Sequence, residues 1–283
     1  MAHSSVVADR AVVTARTAAR RLTPWVERFA RMGFVADAVV YLVIGALAAR
    51  AALGVGGRAT DPPGALRAIV GQPFGHVLLV ILGLGFFGYA AWQAIAAATN
   101  AEGDGTGATG VALRVCRIAT ALVYAALGLL SFRLLRGASG GGSEGVREWE
   151  ARLWSWSPGR WLVGVIGAGI VAYAVYQLYC AWAARVRERL DLTPLSNDAA
   201  QWVVRLGRFG LAARGVVLGL VGWFLVRAAV CYDRHRASGF GGALRALARQ
   251  AHGAWLFGAV AFGLIAYGLY QLMQARYRRI AVT

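Results

Sequence analysis

Lysine is absent from this chain: all 30 of its basic residues are arginine. Acidic residues number only 13, which leaves a formal net charge of +17. Charged residues of both signs make up 15% of the sequence, whereas a soluble domain carries about 25%. That shortage excludes an ordinary water-soluble domain, which has too much surface to cover with so little charge. Excess arginine is one signature of nucleic-acid binding, but here it is spread between apolar runs and not gathered on one basic domain. Nucleic acid is therefore excluded as a partner. The three cysteines, Cys116, Cys180 and Cys231, have no CxxC spacing and sit in or beside apolar runs. Such an odd set reads as reduced structural thiols and not as a disulfide framework.

Catalytic signatures are missing as well. There is no G-x-S-x-G, H-E-x-x-H, Walker or dinucleotide-binding motif, so the chain does not read as an enzyme. His76, His235 and His252, with Asp61 and Asp233 nearby, lack the spacing of a metal site. No catalytic, cofactor-binding or metal-binding residue is expected, and no cofactor. What remains is hydrophobicity, at 58% of residues and a mean hydropathy of +0.54. Ala68–Ala101, Trp161–Ala184 and Gln250–Ala275 contain no charged residue at all. Each exceeds the roughly 20 apolar residues that carry a helix across a bilayer core.

The pattern repeats. Arg31-Met-Gly33 begins a unit that passes Asp37, Tyr41 and Gly45 and ends at Arg50. It recurs as Arg114, Tyr124, Gly128 and Arg133, then as Arg208, Gly210, Gly222 and Arg227. The two arginines of each copy are 19 residues apart, or about 28 Å of helix, close to the hydrocarbon thickness. A second motif, Gly85-x3-Tyr89-x2-Trp92-Gln93, returns as Gly169, Tyr173, Tyr176 and Gln177 and as Gly263, Tyr267, Tyr270 and Gln271. The register holds across both halves, so the unit is a duplicated two-helix hairpin. Between the halves, Gly64-Ala65-Leu66-Arg67 corresponds to Gly242-Ala243-Leu244-Arg245, and Gly242–Gln250 has the two faces of an interfacial helix. The middle copy instead carries Glu148, Trp149, Glu150, Arg152, Trp154 and Trp156, an aromatic interfacial segment.

The expected fold is all-α: a polytopic integral membrane protein with six transmembrane helices, arranged as three hairpins in a pseudo-threefold bundle. The spans fall at 33–53, 75–98, 114–135, 159–184, 209–230 and 253–274. Repeat 1 covers 25–101, repeat 2 108–187 and repeat 3 200–279. Gly103–Gly110, Gly137–Gly145 and Leu192–Asn197 read as linkers. Residues 1–24 hold four arginines and no continuous apolar core, so they read as a cytoplasmic basic arm on the membrane and not as a cleavable signal peptide.

These residues resemble the bacterial membrane domain of unknown function 1206. Its pattern is an arginine–glycine start, a Tyr-x3-Gly helix, a Gly-Ala-Leu connector and a second helix with Gly-x3-Tyr. The resemblance runs from about Trp25 to Arg276 in three copies. It implies a plasma-membrane protein and no catalytic residues. The family is typically basic at the position of Arg214, where the first copy has Asp37 and the second Thr120.

With six spans both termini share one side, and that side carries 17 arginines against 13 opposite. The positive-inside rule places it in the cytoplasm, in the plasma membrane, with anionic lipids as the expected partner and a protein partner open. Three sets of polar residues invite attention. Asp37 and Arg214 occupy equivalent positions with opposite charge, and are expected to pair across the bundle as a structural ion pair or as an ion-handling site. Tyr89, Gln93, Tyr173, Gln177, Tyr267 and Gln271 form a layer read as aromatic belt and interhelical glue, or as a substrate layer. Arg50, Arg133 and Arg227 form an outer ring of snorkelling anchors or an anion-gathering surface. Two functions fit: a non-enzymatic component that binds lipid or a protein, and a small transporter or channel along the bundle axis. Reporter enzymes fused to either terminus should both report the cytoplasm; opposite faces would refute an even number of spans.

Overall fold

The structure is a computed structural model, and it describes residues 28–57, 60–99, 107–137, 159–183, 185, 187, 190–231, 240–248 and 253–278. The basic arm, most of the two glycine-rich linkers, the tryptophan-rich middle connector, His235, His252 and Asp233 lie outside the described residues. Six helices are long and apolar enough to cross a membrane: α1 (Arg28–Ala52), α3 (Gly75–Thr99), α4 (Ala108–Leu135), α5 (Gly159–Trp182), α6 (Asn197–Cys231) and α8 (Gly253–Tyr277). Two short helices, α2 (Pro62–Val70) and α7 (Phe240–Ala248), complete the set among the described residues. Helix is the form hydrocarbon demands, because every backbone N–H and C=O must find its partner within the segment. Outward-facing Val115, Ile118, Leu122, Val165 and Val175 are exposed, and only a hydrocarbon solvent makes such a surface inexpensive.

The expected spans agree with these helices to within a few residues except at the starts of α1, α4 and, above all, α6. That helix begins at Asn197 and not near 209. Ser196 starts it, its Oγ accepting from the Ala199 N–H at 3.4 Å, and Trp202 and Arg205 lie exposed along its first turns. Apolarity marks where a helix enters hydrocarbon, whereas hydrogen bonding and capping decide where it starts.

Both short helices are amphipathic connectors. Pro62 and Pro63 open α2, and the Asp61 carboxylate accepts from the Gly64 N–H at 2.8 Å. Its Ala65, Leu66 and Ile69 are buried against α3 and α4, while Ala243 and Leu244 of α7 are buried against α6 and α8. The shared Gly-Ala-Leu sequence thus corresponds to one local geometry in two of the copies.

Helix α1 packs between α3 and α8, α4 packs on α3, α5 on α6, and α6 on α8. Two of the three hairpins close through glycine. A methyl group at Gly33 would run into the backbone of Tyr89, and one at Gly85 would stand 2.8 Å from the Ala36 Cβ. In the third copy Gly210 meets Tyr267 and Gly263 meets Ala213 in the same way. The middle copy departs from the expected hairpin: α4 and α5 hardly touch. Its Gly169, read as a close-packing glycine, has nothing within 4 Å of where a Cβ would stand. Cys116 occupies the position that is Gly33 in the first copy and Gly210 in the third. A side chain there removes the close backbone approach that draws the other two pairs together.

The inner arginines do more than snorkel. Arg31 donates through Nη1 to the carbonyls of Ala275 and Arg276, both at 2.7 Å. Arg208 donates to the carbonyls of Ala181 and Trp182 at 2.8 and 3.2 Å. Each thereby satisfies the orphan carbonyls at the C-terminal end of a neighbouring helix, where a cation is also favoured by the helix dipole. Gly210→Ala should lower stability by about 1–3 kcal/mol through overpacking, while Gly169→Ala should leave it unchanged or raise it. Thermal unfolding in detergent distinguishes the two.

Candidate functional site

The polar residues predicted to form a layer lie at the end of the bundle where α1, α4 and α6 begin and α3, α5 and α8 finish. Asp37, on α1, is only 2% exposed. The Tyr124 hydroxyl of α4 donates to its Oδ1, and the Gln271 amide of α8 donates to its Oδ2. A chain of side chains continues from there: Gln274 donates to the Gln271 Oε1, and Arg278 donates to the Gln274 Oε1. Each link satisfies a polar atom that hydrocarbon would leave without a partner.

Arg214, on α6, has a different set of partners. Its Nε donates to the Tyr41 hydroxyl at 2.9 Å, and its Nη1 to the Gln177 Oε1 at 3.3 Å. The guanidinium carbon stands 5.0 Å from the ring centre of Tyr267 and 5.6 Å from that of Tyr41. Those two rings meet edge to face at 4.7 Å, so aromatic faces enclose the cation where water is scarce. The expected pairing of Asp37 with Arg214 is therefore corrected. The two do not touch: the carboxylate is taken up by Tyr124 and Gln271, and the guanidinium by Tyr41 and Gln177. They act on each other only through space. Steric size explains the arrangement, because Tyr41 and Tyr124 lie one turn along from Asp37 and Thr120 and fill the gap between the charges.

A cavity of about 90 Å³ opens beside this layer, between the splayed α4 and α5. All six residues of the predicted Tyr/Gln layer line it: Tyr89, Gln93, Tyr173, Gln177, Tyr267 and Gln271. Arg117, Arg185, Arg214 and Arg278 line it too, and among the described residues no carboxylate does. Gln177 is 3% exposed, and its Nε2 has no hydrogen-bond partner among the described residues. Gln93, 8% exposed, makes no side-chain hydrogen bond among the described residues, and neither do the hydroxyls of Tyr89, Tyr173 and Tyr267. Thr120, the middle copy's counterpart of Asp37 and Arg214, donates to its own helix at the Cys116 carbonyl, 2.7 Å away.

Arg50, Arg133 and Arg227 stand exposed at the opposite ends of α1, α4 and α6. Their side chains make no hydrogen bond or ion pair among the described residues, so the structure joins them to nothing. Sequence reasoning missed Tyr41, Tyr124, Gln274 and Cys116. The first three follow a buried polar residue, or its counterpart in the repeat, by three or four positions on the same helical face. Cys116 breaks the Arg-x-Gly start of the repeat, which is a readable signal.

Six apolar helices, charges confined to one internal layer, and arginines capping helix ends define a multi-span membrane protein built from a tandemly repeated unit. The chain belongs to the family described as Domain of Unknown Function (DUF1206), whose pattern matches three times, over residues 32–100, 117–184 and 209–278. It is 33% identical over 257 residues to the Uncharacterized protein YxxB of Bacillus subtilis (strain 168), covering 91% of this chain and 93% of that protein. No solved structure matches it.

Removing the buried carboxylate strands two donors, so Asp37→Ala should cost about 2–4 kcal/mol, while Asp37→Asn should cost less. A double-mutant cycle of Asp37→Asn with Tyr124→Phe should give a coupling of about 1 kcal/mol. Additive effects in thermal unfolding would mean that the contact contributes nothing.

Proposed function

We propose that this protein is a non-enzymatic component of the plasma membrane that binds an anionic lipid from the cytoplasmic leaflet. In this reading the three repeats surround a pseudo-threefold axis, with both termini in the cytoplasm. The supporting observation is the open middle repeat. Where α4 and α5 part, the cavity is lined by four arginines and, among the described residues, no carboxylate, which suits the phosphate of a phospholipid headgroup. Arginine suits that task because its planar donors match phosphate oxygens and its long apolar stem tolerates the interface.

The cyclic pattern of contacts favours the threefold arrangement. Asp37 of the first copy lies between Gln271 of the third and Tyr124 of the second. Arg214 of the third lies between Gln177 of the second and Tyr41 of the first. In both cases the glutamine comes from the preceding copy and the tyrosine from the following one.

A transporter or channel along the axis is the alternative, and it needs a polar path past Asp37. Both oxygens of that carboxylate are instead capped, and Ile44, Val217 and Leu264 are fully buried on the outward side of the layer. A protein is the other occupant to test. Lipid retained after purification in mild detergent should be enriched in anionic phospholipids relative to the membrane extract, and proteoliposomes should show no ion flux above protein-free vesicles. Retained lipid of bulk composition, or a flux abolished by Asp37→Asn, would overturn the proposal.

A further inference from the structure

We infer that Gln177, Arg214 and Tyr173 build an oxyanion subsite within the cavity, and that its ligand carries a phosphate or carboxylate group. This inference rests on the lipid-binding reading for the source of that group and on the cavity's own donors for its chemistry.

The argument starts from an unfilled hydrogen-bonding requirement. A glutamine amide nitrogen carries two N–H donors, and the Gln177 Nε2 has no partner among the described residues although the residue is 3% exposed. Leaving such donors buried and unmet costs free energy that a native site recovers only when an acceptor arrives. Orientation is not free to change, because the Oε1 of the same amide already accepts from Arg214. The donors are thus held in place by a cation, and Gln177 lines the same cavity as that cation. Tyr173 adds a hydroxyl with no protein partner among the described residues. With no carboxylate in the described lining, the space presents donors and positive charge, and an oxygen-bearing anion is the complement to both.

The repeat shows why the site exists in the middle copy. Asp37 and Arg214 each fill their station between a glutamine and a tyrosine. The third station has Thr120, whose hydroxyl is turned to its own helix. Gln93, the glutamine that precedes it in the cycle, makes no side-chain hydrogen bond among the described residues, and Leu218 stands where the other copies have Tyr41 and Tyr124. Two stations are occupied by charged side chains of the protein; the third, with Thr120 and Gln93, brings no charge and lines the same cavity as Gln177 and Arg214.

The test is isothermal titration of the purified full-length protein in neutral detergent with three probes: inorganic phosphate, dioctanoyl phosphatidic acid and dioctanoyl phosphatidylcholine. Phosphatidic acid should bind at least about tenfold more tightly than phosphatidylcholine, as a charge-assisted hydrogen bond implies. Tyr173→Phe removes only an unpartnered hydroxyl, so it should keep the melting temperature and weaken phosphatidic acid about three- to tenfold. Gln177→Glu, which replaces donors by a negative charge, should abolish the preference, and Arg50→Gln at the far end should not change it. If inorganic phosphate binds with this variant pattern while the two lipids bind alike, the subsite stands and the lipid reading falls. If the lipids bind alike and phosphate does not bind, the subsite and the lipid reading both fall. A preference for phosphatidic acid that survives both Tyr173→Phe and Gln177→Glu also overturns the subsite.

Discussion

Hydrocarbon offers a polar atom nothing to bond with, and the layout of this protein follows from that single restriction. The spans satisfy their own backbones by being helices. Asp37, Arg214, Gln271 and Gln274 find their partners among the polar side chains of the interior. Asp37 and Arg214 carry charge at a depth where charge is costly, and both are enclosed by tyrosine and glutamine and not set against each other. Spreading each charge over several neutral partners avoids the geometric demands of a direct buried ion pair, whose desolvation often outweighs its attraction.

The same restriction governs the helix ends. Arg31 and Arg208 supply donors to the last carbonyls of α8 and α5, linking helices across the bundle. A guanidinium reaches two carbonyls at once, while an ammonium presents a strongly hydrated point charge. This gives a physical reason for arginine at those sites, in a chain that contains no lysine.

Three copies of one unit need not remain equivalent. In the first and third, glycine lets the two helices approach until backbone meets side chain. In the middle one Cys116 takes the glycine's place, Gly169 faces open space, and the pair stands apart. A change of a few atoms at one helix crossing thus turns a packed seam into a cavity. The residues that line it include the ones that repeat most faithfully, so duplication supplied the polar layer and divergence opened it.

Much of this was legible in order along the chain. Charge-free runs marked the spans, flanking arginines marked their limits, and the Gly-x3-Tyr-x2-aromatic-Gln motif marked the layer. Those features depend on local composition and on periodicity, which a linear sequence carries directly. The start of α6 at Asn197 was less legible, because capping and not apolarity decides it. The partners of Asp37 and Arg214 were not legible at all. Opposite charges in equivalent positions suggested a pair, but only the packed bundle shows that Tyr41 and Tyr124 intervene. Whether a hairpin closes depends on the fit between two surfaces, and the parting of α4 from α5 is a property of that fit. Which stretches enter the membrane, and at what depth each residue sits, can be read one segment at a time, because hydropathy acts on each segment separately. Which of those residues meet, and where space is left between them, is set by the packed bundle, because such outcomes depend on all six helices together.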